Sequence, residues 1–375
     1  MRLSRPLAAL FITFSIPAAY AWGAAGHEII ATIAQMYLHP SILPTICDIL
    51  NFSEDETQPE QPCHLAPIST WADKLRFKMR WSAALHYVGS LDDHPSQTCL
   101  FPGERGWAGT RGGNVLDAIK NVTGLLEDWT RGEAGDATAN EALKFLVHFM
   151  GDLHMPLHLT GRDRGGNSDR VLWSGRQTNL HSLWDGLLIA KAIRTVPRNY
   201  SRPLPYPDVE HALRGTIYDS YIRRIMWEGV FQKWKDDVPE WFSCPETTPP
   251  PPARGWQQVV MSLKRLAGKQ GVEIGPDTDV LCPYHWAKPI HALNCDIVWP
   301  KELDEPPYGG GGSKFADEDV AGRPPKPHPP LLELDTPKYA GVIEDTMVVE
   351  KLLAQGGIRL AGILNYLFLE EAARS

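Results

Sequence analysis

No two cysteines in this chain stand in a Cys-x-x-Cys spacing, so neither a cysteine-ligated zinc site nor thioredoxin-type exchange is expected. After the first 21 residues no stretch reaches the ~18 consecutive apolar residues of a membrane span, and no repeat of about 20–50 residues recurs. Glycine and proline, 32 of each in 375 residues, stay short of the ~25–30% that marks a low-complexity chain. That excludes collagen-like and disordered classes. Positive charge is scarce too: Lys and Arg number 37 against 45 Asp and Glu, for a net charge of −8. The basic surface usual in a nucleic-acid binder is missing. A polyanionic substrate would need positive charge from outside the sequence, and bound divalent metal would supply it.

The N-terminus reads as an export signal. Arg2 and Arg5 precede an apolar run over residues 6–17, and Ala19-Tyr20-Ala21 is a small-x-small cleavage site. The expectation is a signal peptide over 1–21 and a mature, secreted, soluble chain over 22–375. Loss of the two signal arginines leaves that chain with 35 basic and 45 acidic residues, net −10. Its C-terminus, Glu-Glu-Ala-Ala-Arg-Ser, carries no retention tetrapeptide. Six cysteines suit an oxidising compartment. Among the possible disulfide pairings, Cys47–Cys63 reads as a local clip, with Cys99, Cys244, Cys282 and Cys295 tying the later region. N-x-S/T sequons at Asn51, Asn121 and Asn199 agree with a secreted glycoprotein.

Helical periodicity dominates what remains. Ile29, Ile30, Ile33, Ala34 and Tyr37 recur at helix spacing, as do Val115, Ile119, Val122, Leu126 and Trp129, which leaves Asn121 on the opposite face. Leu143, Leu146, Val147 and Met150 mark a third helix that must end near Pro156. A fourth runs from about 216 to 234. The last runs from about 343 to 370, with a kink or break expected at Gly356-Gly357. Strand signals are few; Val171-Leu172-Trp173 is the best, as half of a hairpin. Residues 249–252 and a longer excursion at about 305–330 read as loops by composition. The fold class is mainly α, one domain with few short strands.

Histidines and acids converge in one part of the chain. His148 and Asp152 stand i, i+4 and project from one helix face. His158 follows just past Pro156, and His181 with Asp185 repeats the same spacing. Imidazole with carboxylate suits a catalytic zinc site rather than a structural one. One such pair could be a salt-bridged surface helix with an incidental histidine; two with His158 between them argue for metal. Asp73 and His86 are unremarkable alone, the first readable as an exposed helix acid and the second as a core histidine. Trp22, once freed by signal cleavage, would offer an α-amine and a carbonyl that can chelate metal, with His27 five residues on.

The mature start Trp22-Gly-x-x-Gly-His27, Trp-Ala-Asp73-x-x-Arg76, Leu-His86-aromatic, His148-Phe-x-Gly-Asp152-x-x-x-Pro-x-His158, Gly165-Gly166-Asn167 and Asn179-Leu-His181-x-x-Trp-Asp185 together resemble the zinc-dependent class I nucleases. That family comprises secreted fungal single-strand-specific nucleases and plant bifunctional nucleases. The resemblance covers most of residues 22–185 and reappears at 282–299 and around Arg359. It implies a helical phospholipase C/nuclease-like fold holding three zinc ions. Asp73, His86, His148 and Asp152 would bind one, Trp22, His27 and the bridging Asp152 a second, and His158, His181 and Asp185 the third. The implied reaction is in-line attack of activated water on phosphorus, with Asp73, Asp152 and Arg76 in the catalytic centre and Arg76 clamping the phosphoryl charge. The products would be 5′-phosphorylated. Tyr87 would stack a base, and the substrates would be single-stranded DNA and RNA, with 3′-nucleotides as a further class. The protein would act as a monomer, away from membranes. The family's base-contacting acid two residues past the aromatic is replaced here by Gly89. A phospholipase C on the same scaffold and a zinc-stabilised secreted binding protein are the alternative readings.

Overall fold

A computed structural model describes residues 22–52, 63–110, 112–245, 277–278, 281–308 and 330–372. The order begins with helices α1 (Ala24–Tyr37), α2 (Leu43–Ile49) and α3 (Trp71–Leu75), then a 3₁₀ segment Arg80–His86. The long helices α4 (Val115–Thr130) and α5 (Asp136–Leu153) follow, then a hairpin of β1 (Arg170–Trp173) and β2 (Arg176–Asn179). α6 (Leu180–Ser182) widens into a π-type winding over Leu183–Leu187 and continues as α7 (Leu188–Thr195). The rest comprises α8 (Pro207–Ala212), α9 (Asp219–Arg224) prolonged by wider winding over Ile225–Lys233, α10 (Val238–Trp241), α11 (Pro283–Leu293), α12 (Val342–Thr346) and α13 (Val348–Ala372). The mainly helical reading holds, with one two-stranded sheet among the described residues.

The apolar stripes fall where the sequence puts them. α1 buries Ile29, Ile30, Ile33 and Ala34, and α4 buries Val115, Ile119, Val122 and Leu126 while Asn121 stays exposed. α4 starts cleanly because the Asn114 side chain accepts from the amides of Leu116 and Asp117, filling two of the free N–H groups of the first turn. α5 ends at Leu153, and Pro156 opens a 3₁₀ turn. α5 runs through the core and packs against α4, α1 and α13. The predicted strand forms β1, paired antiparallel with β2 through Ser174 and Gly175, both at positive φ, the two-residue connection that suits the strand twist. The chain returning after 330 lies along β1: Leu172 donates to the Leu332 carbonyl and accepts from Leu334.

Three expectations need correction. The final helix does not break at Gly356-Gly357. It is interrupted at Met347, where φ is 56°, and then runs unbroken through both glycines. The glycines serve close approach instead: a Cβ on Gly357 would lie 2.7 Å from Ile33 Cβ and 2.8 Å from the Ile30 carbonyl. Gly357→Ala must push α1 and α13 apart and is expected to cost about 1–3 kcal/mol, read as a lower urea midpoint; an unchanged midpoint would contradict the contact.

The second correction concerns the cysteines. Cys99–Cys295 and Cys244–Cys282 are disulfides, but no disulfide joins Cys47 to Cys63. They lie within hydrogen-bond reach, which together with burial pushes the Cys63 thiol far up. Third, the 337–369 helical stretch is apolar enough over 18 residues, mean hydropathy 1.3, to pass for a span, but 72% of that window is buried inside the protein. It is a core helix by burial. Residues 1–21, the 249–252 loop and residues 309–329 of the excursion lie outside the described residues.

Candidate metal centre

α5 is the base of the site. Helical spacing puts His148 and Asp152 one turn apart, and both are fully buried, with His148 Nε2 3.4 Å from Asp152 Oδ2. The other donors arrive from different elements. His27, on the first turns of α1, lays its ring flat on His148 at 4.1 Å, with Nε2 3.7 Å from Asp152 Oδ1. Asp73 comes from the short helix α3 and stands 3.8 Å from His148 Nε2. His86 closes the 3₁₀ segment, its Nδ1 2.9 Å from Asp152 Oδ2 and 3.1 Å from His148 Nε2. His158, on the turn that Pro156 forces, reaches within 3.4 Å of Asp152 Oδ1 and faces His181 in a ring stack at 5.2 Å. Asp185 sits on the wider winding after α6 and is buried.

Backbone carbonyls orient three of these rings. His148 Nδ1 donates to Ser69 O at 2.8 Å, His158 Nδ1 to His86 O at 2.7 Å, and His181 Nδ1 to Gly165 O at 2.8 Å. Each puts the proton on Nδ1 and makes Nε2 the basic nitrogen, the usual way a protein fixes a metal-ligating imidazole. Burial holds His27, His86 and His158 below the ordinary imidazole range, so they are neutral donors. The same burial pushes the Asp152 and Asp185 carboxyls well up, and a nearby cation is what would ionise them. Both ring nitrogens of His27, Asp152 Oδ1 and Asp185 Oδ1 are buried with no hydrogen-bond partner. Unsatisfied polar atoms of this kind are rare in a core. Three donor groups result, each with ligand atoms within 4.8 Å of one another: His27, His148 and Asp152; Asp73, His86 and His148; His158, His181 and Asp185. The residues fit metal ions.

Trp22 is wholly buried, and the next amide, Gly23 N, donates to Asp185 O at 2.7 Å, so this segment is tied to the third donor group. All nine residues singled out as ligands therefore lie in one region.

Over the donors opens a cleft of about 650 Å³, lined by Asp73, Arg76, His86, Tyr87, His158 and His181 together with Arg164 and Asn167. Tyr87 is 53% exposed and presents a free ring face. The Arg76 guanidinium lies 4.7 Å from the Phe77 ring. Gly89 has a packing reason: a Cβ there would meet Gly161 N at 2.6 Å. An acid at that position would force two backbone segments apart.

Sequence reasoning missed the brace beneath this cleft. Asp93 accepts from Thr160 Oγ1, from the Leu100 amide and from His291 Nε2, which steadies the chain that leaves His158. Asp93, Cys99 and His291 also cluster like metal ligands, but the Cys99 sulfur is spent in a disulfide and Asp93 is saturated. No spacing in the sequence signals a pair 198 residues apart.

Residues 22–306 match the S1/P1 nuclease family. The chain belongs to that family. The match begins at Trp22, where the sequence places the mature start. Endonuclease 2 of Arabidopsis thaliana is 30% identical over 96% of this chain and 94% of its own length. Nuclease P1 of Penicillium citrinum is 37% identical over 46% of this chain and 60% of its own. Nuclease S1 of Aspergillus oryzae is 36% identical over 44% of this chain and 54% of its own. The family match runs through the donor-bearing half to residue 306, and the long relative covers 96% of this S1/P1 nuclease.

Proposed function

We infer that this S1/P1 nuclease is a secreted, monomeric, zinc-dependent endonuclease that cuts single-stranded DNA and RNA to 5′-phosphorylated products and also acts on 3′-nucleotides. The observation that carries the reading is the convergence of three donor groups, two of them fully buried, near Asp152 beneath a cleft that also holds a guanidinium and an exposed aromatic ring. Nine ligands, Trp22, His27, Asp73, His86, His148, Asp152, His158, His181 and Asp185, would hold three zinc ions over residues of one domain. Bound zinc supplies the concentrated positive charge an acidic chain lacks and acidifies water to near neutrality. Arg76, steadied over Phe77, donates to the phosphoryl oxygens where charge builds up. Tyr87 stacks the base next to the scissile bond, which fixes the strand without reading a particular base edge. The two disulfides and the exposed Asn51, Asn121 and Asn199 support an exported glycoprotein.

Parallel assays on denatured DNA, duplex DNA and phosphatidylcholine vesicles test this. Rapid cleavage of denatured DNA alone is expected; preferential lipid hydrolysis would move the protein to a phospholipase. Tyr87→Ala should weaken single-strand binding by about 1–3 kcal/mol and leave metal content unchanged. Equal wild-type rates on duplex and denatured DNA would remove the stacking pocket as the source of selectivity.

A further inference from the structure

The segment running from the metal centre to the 3₁₀ ridge is unlike the rest of this acidic protein. Lys74-Leu-Arg76-Phe77-Lys78-Met79-Arg80-Trp81 holds four cations and no acid. Leu75 and Met79 turn inward, and Met79 packs on the core. The rest of the segment except Arg76 is exposed: Lys74, Lys78 and Arg80 stand in solvent, Phe77 is 72% exposed and Trp81 61%. Among the described residues neither Lys78 nor Arg80 pairs with an acid. Aromatic rings exposed to this degree beside Lys78 and Arg80 need a reason.

The Arg80–His86 ridge separates two depressions. Ala83, Ala84 and His86 face the catalytic cleft, while Trp81 and Leu85 wall a second groove of about 300 Å³ whose floor includes Val122, Leu125 and Phe145. Trp81 packs edge-to-face on Phe145 at 5.6 Å, which fixes the indole while leaving the rest of it exposed. Glu141 is the acid on the groove's lining, so phosphates are held to the Lys78 and Arg80 side.

We propose that residues 74–81 form a second contact for single-stranded nucleic acid, a track in which Lys78 and Arg80 take backbone phosphates and Trp81 stacks a base beyond the ridge, outside the cleft. It rests on the nuclease reading for the strand's presence in that cleft. Charge complementarity and a fixed, exposed ring are the two ingredients of sequence-tolerant single-strand binding, and the ridge puts them one strand's path from Arg76. The track makes long strands better substrates than mononucleotides, and it makes binding salt-sensitive.

The test compares wild type, Trp81→Ala and the double variant Lys78→Gln with Arg80→Gln. Each is assayed as zinc-loaded, mature protein on a 3′-mononucleotide and on a 12-residue oligothymidylate, and for binding of a cleavage-resistant oligothymidylate at several salt concentrations. Wild type should favour the 12-mer. Trp81→Ala should raise its KM about fivefold or more, and the charge variant should flatten the salt slope by about 1.4. Mononucleotide kcat/KM and zinc content should not move in either variant.

Loss on both substrates together, or on neither, overturns the track. So does oligothymidylate binding that survives both variants while Asn121→Gln alone exposes the groove and lowers stability, since its occupant would then be the protein's own glycan. Because Trp81 touches Phe145, the surface charge variant carries the test if Trp81→Ala folds poorly. If wild type cleaves neither substrate the nuclease reading fails, and the binding arm still decides the track.

Discussion

Asp152→Asn should lower turnover on denatured DNA by about 10³-fold, at or beyond the top of the range for removing one central electrostatic group, with zinc content falling at the same time. The side chain is fully buried, and its two oxygens are shared among His27 at 3.7 Å, His86 at 2.9 Å, His148 at 3.4 Å and His158 at 3.4 Å. Only His148, which meets His27, Asp73, His86 and Asp152 itself, touches as many donors. The amide is isosteric, so packing survives; what disappears is the negative charge that would offset two cations held close together. Elemental analysis and a turnover assay on the same sample measure both effects. Near wild-type turnover would contradict a bridging role for Asp152.

An uncleaved extension ahead of Trp22 should be almost as damaging. Trp22 is completely buried, and Gly23 is pinned to Asp185 O at 2.7 Å, so residue 22 lies against the centre. If the freed α-amine is a ligand, any preceding residue turns it into an amide, a far poorer donor. His27 and the shared Asp152 would then be too few for a stable catalytic site. Protein carrying a tag there is expected to bind about two zinc ions and be nearly inactive, and trimming to Trp22 in zinc buffer should restore both. Full activity with undiminished zinc in the tagged form would remove the terminus from the site.

The parts of this molecule that were legible in the sequence are those whose cause is local. Helix periodicity placed α1, α4 and α5, and the i, i+4 spacing of His148 with Asp152 is a property of one helix. In Asn179-Leu-His181 the asparagine cap and the imidazole donor lie within one turn: the Asn179 side chain accepts from the Ser182 amide. What was not legible depends on distant chain. Gly356-Gly357 looks like a break, since glycine weakens helices, yet α1 presses on it and only glycine fits. The Asp93–His291 brace and the Cys47/Cys63 contact depend on how separate segments meet. Gly89 read as a lost base contact, and the structure shows that Gly161 occupies the space.

The most direct measurement is a zinc titration of the chelator-stripped mature protein, following release of acid-soluble nucleotides from denatured DNA against bound zinc per chain. Activity should be absent without metal and return fully only as occupancy approaches three zinc ions. Activity that survives chelation, or that saturates at a single ion, would contradict a nuclease built on three donor groups around Asp152.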